Sequence, residues 1–387
     1  MKILFVHNSY SDKTASGEEH ASQELASLLE EYGHEVRWYR RSSDEIRNGL
    51  GSIKAFFTGI YNPYSVKELD RLVDDFNPDI VQVQNIYPLI SSSIFKPLKE
   101  RDIPVVMRCP NYRLFCPNGL CLDTKGKVCE KCFGGKEWYC VTKNCEKSIL
   151  KSVGYALRNA YSRISRNIIN GVDVFIVQSD FQKQKFIEQG IPADKLVILP
   201  GISPQITFDT TTDLGENVSF VGRISVEKGI YEFIEAARLN PTIPFKVAGK
   251  LDVHFKMPND LPQNVEFVGY KKGDDLDYFY SNSRIIVTPS KWYEGFPNVI
   301  VRAMLHSRPV ITTNIGAMPS IIENGVNGIL VKSGNVKQLS DAISRLYNDE
   351  NCCREMGLAG YEKASKQYSR AAIYQRLMDV YTKVINE

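Results

Sequence analysis

Two long stretches of this chain alternate short apolar runs with helical patterns, and that alternation leaves few folds open. In the first half, Lys2–His7, Glu35–Tyr39, Asp79–Gln84, Pro104–Met107, Val172–Gln178 and Val197–Pro200 read as strands. In the second half, Val218–Val221, Pro244–Ala248, Val265–Val268, Arg284–Thr288, Pro309–Thr312 and Gly328–Val331 do so. The segments between them carry apolar residues at helical spacing, such as Ala21, Leu25, Leu28 and Leu29 in Glu18–Tyr32. A strand followed by a helix and another strand pairs in parallel, so each half predicts a parallel sheet covered by helices. The expected fold class is α/β: two Rossmann-like domains with a cleft between them.

The polar, weakly patterned stretch Ser203–Glu216 marks the boundary. The expected domains are 1–200, with a cysteine-rich insert at 108–146, then 201–365. A C-terminal helix at 366–387 is expected to pack back on the N-terminal domain. Ile149–Asn170 reads as one long basic helix. Two helical patterns, Val336–Tyr347 and Arg370–Ile385, close the chain.

The sequence has 387 residues, 43% of them hydrophobic and 24% charged, with a formal net charge of +3. That suits a soluble globular protein and gives no reason to expect nucleic acid as a partner. MKILFVHNSYS has a short apolar run without a long apolar region or a small-residue cleavage site, so it reads as a first strand. No apolar run reaches the roughly 18 residues of a spanning helix. The expected location is cytoplasmic, peripheral on the cytoplasmic face of the membrane. Asn48–Tyr64, with Leu50, Ile53, Phe56, Phe57, Ile60 and Tyr61, reads as a core-facing helix in preference to a membrane-surface one.

Seven of the nine cysteines fall between Arg108 and Cys145. Cys129 and Cys132 form a C-x-x-C pair, a spacing that lets two thiolates reach one metal ion. Cys116 and Cys145 lie 13 residues before and after it. A structural zinc held by Cys116, Cys129, Cys132 and Cys145 is therefore expected, with Cys121 and Cys140 as competing outer thiols.

Two loops of the second half carry the expected chemistry. Gly222–Gly229, GRISVEKG, follows a strand and holds Arg223 and Lys228. Arginine grips two phosphate oxygens and lysine adds a compact charge, so together they neutralise a pyrophosphate without a catalytic metal. The second loop follows Ile285–Val287 and contains Glu294; Pro297 or Asn298 then opens a helix with Ile300, Ala303 and Met304 on one face. Helix N-termini at the ends of parallel strands suit phosphates. A G-x-G-x-x-G fingerprint is absent from the first loop, which has a lone Gly17. Asp275 and Asp277 form a D-x-D at a helix start, where acidic residues serve as caps.

GRISVEKG and EGFPN, each after its strand in the second half, resemble the GT-B glycosyltransferases of family 4. The resemblance runs from MKILFVHN through NYRLFCPNG and CEKC to NGVNGILV. It implies a retaining transfer of sugar from a UDP- or GDP-sugar donor to a glycan or lipid-linked acceptor, at the inner-membrane surface. Arg223 and Lys228 would hold the diphosphate and Glu294 the sugar hydroxyls. Gly295, Phe296, Pro297, Asn298 and Val299 would meet sugar and phosphate, and Gly17 would approach the donor phosphate. The cysteine-rich insert is similar to one in a subset of the family. Two positions depart from the pattern: Arg302 replaces a ribose-binding glutamate, and Pro110 stands where a histidine is usual. Arg302 can share the face of Asn298 and still reach the nucleotide.

Two alternatives remain at this point. One is a nucleotide-sugar epimerase on the same fold, which needs an acid/base pair that does not stand out among His7, His20, His34, His254 and His306. The other is a non-catalytic glycosyltransferase-like subunit bound to a partner enzyme.

Overall fold

A computed structural model describes residues 1–10, 17–46, 55–202, 206, 214–252 and 255–387. The chain forms two compact units. One comprises Met1–Thr124, Cys129–Ile202 and Ile373–Glu387; the other comprises Lys125–Val128 and Ser203–Ala372.

The first unit is built on six parallel strands: β1 (Lys2–Ser9), β2 (Glu35–Ser42), β3 (Ile80–Asn85), β4 (Val105–Arg108), β5 (Val174–Val177) and β6 (Leu196–Ile198). Their order is β2-β1-β3-β4-β5-β6. The order reverses between β1 and β3, and the carboxyl ends of strands at such a reversal leave room for a ligand. β3, β4 and β5 are buried along their whole length, as a sheet covered on both faces requires. Helix Arg370–Asn386 closes one face: Ile373, Leu377, Val380, Tyr381 and Val384 join Ile3, Phe5 and Leu28 in one core cluster. Tyr381 there donates to Gln82 Oε1 at 2.7 Å.

The second unit repeats the scheme with β7 (Asn217–Val221), β8 (Phe245–Ala248), β9 (Val265–Gly269), β10 (Ser283–Thr288), β11 (Val310–Thr313) and β12 (Gly328–Val331), ordered β12-β11-β10-β7-β8-β9. Every pairing is parallel. The reversal here lies between β7 and β10. The two expected parallel sheets are thus both formed, with strand ends moved by a residue or two.

Two helical expectations change. Ile149–Asn170 is broken at Arg166, whose φ of 54° is left-handed, giving helices Ile149–Ser165 and Asn167–Gly171. A further helix, Glu350–Gln367, was not expected. It packs through small residues: a Cβ on Gly357 would stand 2.1 Å from Ser307 O, so the backbones touch. Residues 47–54 of the apolar stretch Asn48–Tyr64 lie outside the described residues. Beyond them Ala55 and Thr58 are buried while Phe57 and Tyr61 are exposed, so one side of that part is covered and the other is not. No helix among the described residues is long and apolar enough to cross a membrane.

Candidate functional site

The loops after β7 and β10 leave the second sheet side by side because these two strands pair. Gly229 fixes how closely the loops approach. Its φ is +79°, and a Cβ there would stand 2.0 Å from Pro289 O. Only glycine fits. Lys291 N–H donates to Glu227 O at 2.8 Å, tying one loop to the other.

Within this frame Lys228 Nζ lies 2.5 Å from Glu294 Oε1. The same oxygen accepts from Ser290 Oγ at 2.9 Å and from Trp292 Nε1 at 2.8 Å. Lys228 also stands over the Trp292 ring, 5.3 Å from its centre. Glu294 is buried; its N–H donates to Trp292 O at 3.0 Å and its C=O accepts from Ala317 N–H at 3.3 Å. A buried carboxylate oxygen taking three donors is held in one place. Ser290, Trp292 and Gly229 were not singled out from sequence; a tryptophan two residues before the glutamate was the only local signal.

Arg223 does not join this pair. Its guanidinium is half-exposed and contacts Glu227 Oε1 at 2.5 Å and Asp252 Oδ2 at 3.3 Å. Gly295 and Phe296 continue the loop, and Phe296 packs edge-on against Tyr368. Pro297 is the N-cap of helix Asn298–Leu305 and supplies no side-chain cap, leaving the first N–H groups of Asn298 and Val299 available to an anion. Gly17 belongs to the first unit, where it opens helix Gly17–Glu31.

Arg302 is committed within the second unit. Its Nη2 lies 2.7 Å from Asp277 Oδ1, and His306 Nε2 lies 2.8 Å from the same atom. His306 Nδ1 meets Ser281 Oγ at 3.1 Å. Asp277 is therefore a buried partner of two cations or donors, not a helix cap. Burial, aided by Arg302 and Arg308 and opposed by Asp277, lowers the His306 pKa below the usual histidine range.

The cysteine expectation is corrected. Among the described residues no three His, Cys, Asp or Glu side chains are grouped to hold a metal ion. Cys116, Cys129, Cys132 and Cys145 do not form the four-thiolate set. Instead Cys116 Sγ donates to Asn118 Oδ1 at 3.0 Å, and Cys145 N–H donates to Cys140 O at 3.1 Å. Cys132 and Cys140 pack with Ala156 as small apolar groups, and burial pushes the Cys132 thiol up to about 12.

In the first unit, Arg108 ends β4 and Pro110 follows it. Among the described residues, Arg108 Nη1 and both amide atoms of Gln84 are buried without a hydrogen-bond partner. His7 Nε2 lies 2.9 Å from Glu19 Oε2, a histidine–carboxylate pair that the sequence did not bring out. His254 lies outside the described residues.

Known proteins resemble this chain in sequence and in fold. Residues 208–363 match the family described as Glycosyl transferases group 1. The chain is 28% identical to an uncharacterized 42.6 kDa protein in the cps region of Klebsiella pneumoniae, over 83% of this chain and 87% of that one. It is 30% identical to the capsular polysaccharide biosynthesis glycosyltransferase CapM of Staphylococcus aureus, over 44% of this chain and 47% of that one. In fold it is similar to Anabaena Alr3699/HepE, solved in complex with UDP, with a TM-score of 0.68, 17% identity and 99% and 100% of the two chains covered. Sucrose-phosphate synthase from Thermosynechococcus elongatus gives a TM-score of 0.70 at 16% identity, covering 100% and 99%. Both structures place the chain in the GT-B fold. The chain carries a group 1 glycosyltransferase domain over residues 208–363 and is an enzyme of the glycosyltransferase class.

Proposed function

We propose that this enzyme moves a sugar from a UDP- or GDP-sugar to a lipid-linked surface-glycan acceptor, with retention of configuration, at the cytoplasmic face of the membrane. It would stand in family 4, in the branch with a cysteine-rich insert. The observation that carries the reading is the Lys228–Glu294 pair, 2.5 Å apart at the strand-order reversal of the second sheet. A cation and a hydroxyl-binding carboxylate side by side, next to an uncapped helix N-terminus, match a diphosphate joined to a sugar. The capsular role of CapM supports a glycan product, and UDP in the HepE complex supports a nucleotide donor.

In this reading Lys228 and Arg223 stabilise the departing diphosphate, and Glu294 accepts from sugar hydroxyls. Arg223 would exchange Glu227 and Asp252 for phosphate oxygens. Gly295, Phe296, Pro297, Asn298 and Val299 surround sugar and phosphate, and Gly17 is assigned to the donor phosphate by the family resemblance. Arg302, anchored on Asp277, is assigned to the nucleotide. Catalysis then rests on charge stabilisation and positioning, and the leaving diphosphate oxygen takes the acceptor proton.

Isothermal titration with UDP, GDP and ADP tests the donor. Binding of UDP or GDP that weakens at least tenfold in Lys228→Ala is expected. Equal affinity in the variant, or no binding of any of the three, removes the assignment. Anomeric analysis of the product by NMR tests retention.

A further inference from the structure

The first unit holds a second feature, at the carboxyl ends of β1 and β3 where its strand order reverses. A cavity of about 510 Å³ opens there. Its walls are mostly aromatic and aliphatic: Phe56, Phe57, Tyr87, Leu150 and Tyr155. Phe57 and Leu150 are 64% and 68% exposed, so the apolar wall reaches the surface. Gly154 lets Phe56 lie against helix Ile149–Ser165, since a Cβ there would stand 2.7 Å from its ring.

Three cations line the same space: Arg113, Lys151 and Arg158. Arg158 is 3% exposed. It is stacked between Tyr87 and Tyr155, at 4.1 and 4.4 Å from their ring centres, and donates to Pro117 O at 2.7 Å and to Asn159 Oδ1 at 3.1 Å. Arg113 donates to Asn85 Oδ1 at 3.0 Å and to Tyr10 Oη at 2.8 Å. Neither guanidinium forms an ion pair with a carboxylate among the described residues. Glu18, the acid of this network, accepts instead from Tyr10 and Asn111. Among the described residues both guanidinium groups donate only to neutral acceptors, and the nearby acids Glu18 and Glu146 act on them without a direct ion pair, so a phosphate would be their first direct ionic partner. The neighbouring pocket, which shares Tyr87 and Arg113, also holds Glu18, Gln84 and Arg108; both Gln84 amide atoms and Arg108 Nη1 have no hydrogen-bond partner among the described residues.

We propose that this cavity binds the phosphate end of a lipid carrier. The proposal rests on the lipid-linked acceptor reading above and assigns its site. The phosphate would lie against Arg113 and Arg158, and the first apolar carbons would run along Phe56, Tyr155 and Leu150 toward the exposed mouth. Charge complementarity selects a phosphate-bearing chain over a neutral one, and the aromatic wall selects it over free phosphate.

Farnesyl phosphate is the probe, titrated by calorimetry into the full chain below its micelle concentration. Farnesol and inorganic phosphate are the controls. The expected result is binding of farnesyl phosphate at least tenfold tighter than either control. Leu150→Asp and Phe57→Asp, both at exposed positions that tolerate charge, should each weaken it at least fivefold. Arg158→Gln should weaken it more, and circular dichroism reports whether that variant folds. UDP and GDP are titrated into the same proteins. Unchanged nucleotide binding in the two surface variants, beside lost lipid binding, supports the proposal. Absent farnesyl phosphate binding, farnesol binding equally well, or indifference to both surface substitutions overturns it, whatever the nucleotides do. Lipid binding without UDP or GDP binding instead sinks the donor reading and leaves this cavity in place.

Discussion

Lys228 Nζ lies 2.5 Å from the carboxylate of Glu294, a residue 66 positions further along the chain. The two belong to different loops of one sheet, and strand pairing alone brings them together. Glu294 keeps Ser290 and Trp292 as donors, so its carboxylate is held even without Lys228.

Lys228→Ala should slow turnover at saturating donor by about a hundredfold, equivalent to about 3 kcal/mol in the barrier. Glu294→Gln keeps the shape and removes the charge, and should act mainly through the donor sugar. Steady-state kinetics with varied donor separates the two. Parental turnover in Lys228→Ala would remove the lysine from the reaction.

Trp292→Phe removes one neutral N–H donor from a buried carboxylate and retains most of the ring. The expected loss is about 1 to 2 kcal/mol, read as a roughly tenfold rise in donor KM. A variant with unchanged KM would show that this hydrogen bond does not position Glu294.

Gly229→Ala should destabilise the second unit. The substitution puts a Cβ 2.0 Å from Pro289 O at a φ of +79°. Strain of this kind costs about 1 to 3 kcal/mol before any shift of the loop, or roughly 5 °C in melting temperature for a unit of this size. Thermal melting by circular dichroism measures it. A melting temperature equal to the parent's would mean that the two loops are free to separate.

His306 predicts a pH dependence. Its pKa in the folded chain is lowered, first by burial, so the unfolded chain binds more protons between the folded value and about 6.5. Its contribution is therefore complete above pH about 6.5 and is lost as the pH falls through the folded value, at most about 1.4 kcal/mol per unit. A neutral ring suits the geometry: Nε2–H donates to Asp277 and Nδ1 accepts from Ser281. Melting curves between pH 7.5 and 5 should fall more steeply for the parent than for His306→Gln. Parallel curves would show that the ring charges without cost.

Local pattern was enough for the sheets and for the chemistry of single loops. Strand runs such as Ile285–Val287, and the helices between them, follow from spacing within a few residues. GRISVEKG and EGFPN could each be recognised alone, and a parallel sheet puts loops of both kinds at its carboxyl edge. What spacing cannot carry is which loops become neighbours. The pairing of β7 with β10 across the crossover brings Lys228 to Glu294 and leaves Arg223 with Glu227 and Asp252. The cysteine insert fails for a related reason. It has no periodicity, so several thiol groupings fit its spacing equally, and only the fold shows that Cys132 and Cys140 pack with Ala156. Arg113 and Arg158 are ordinary basic residues in sequence. Only the fold sets them in one cavity beside aromatic rings and without a direct ion pair among the described residues, because burial and charge balance are properties of three-dimensional neighbours and not of adjacent residues.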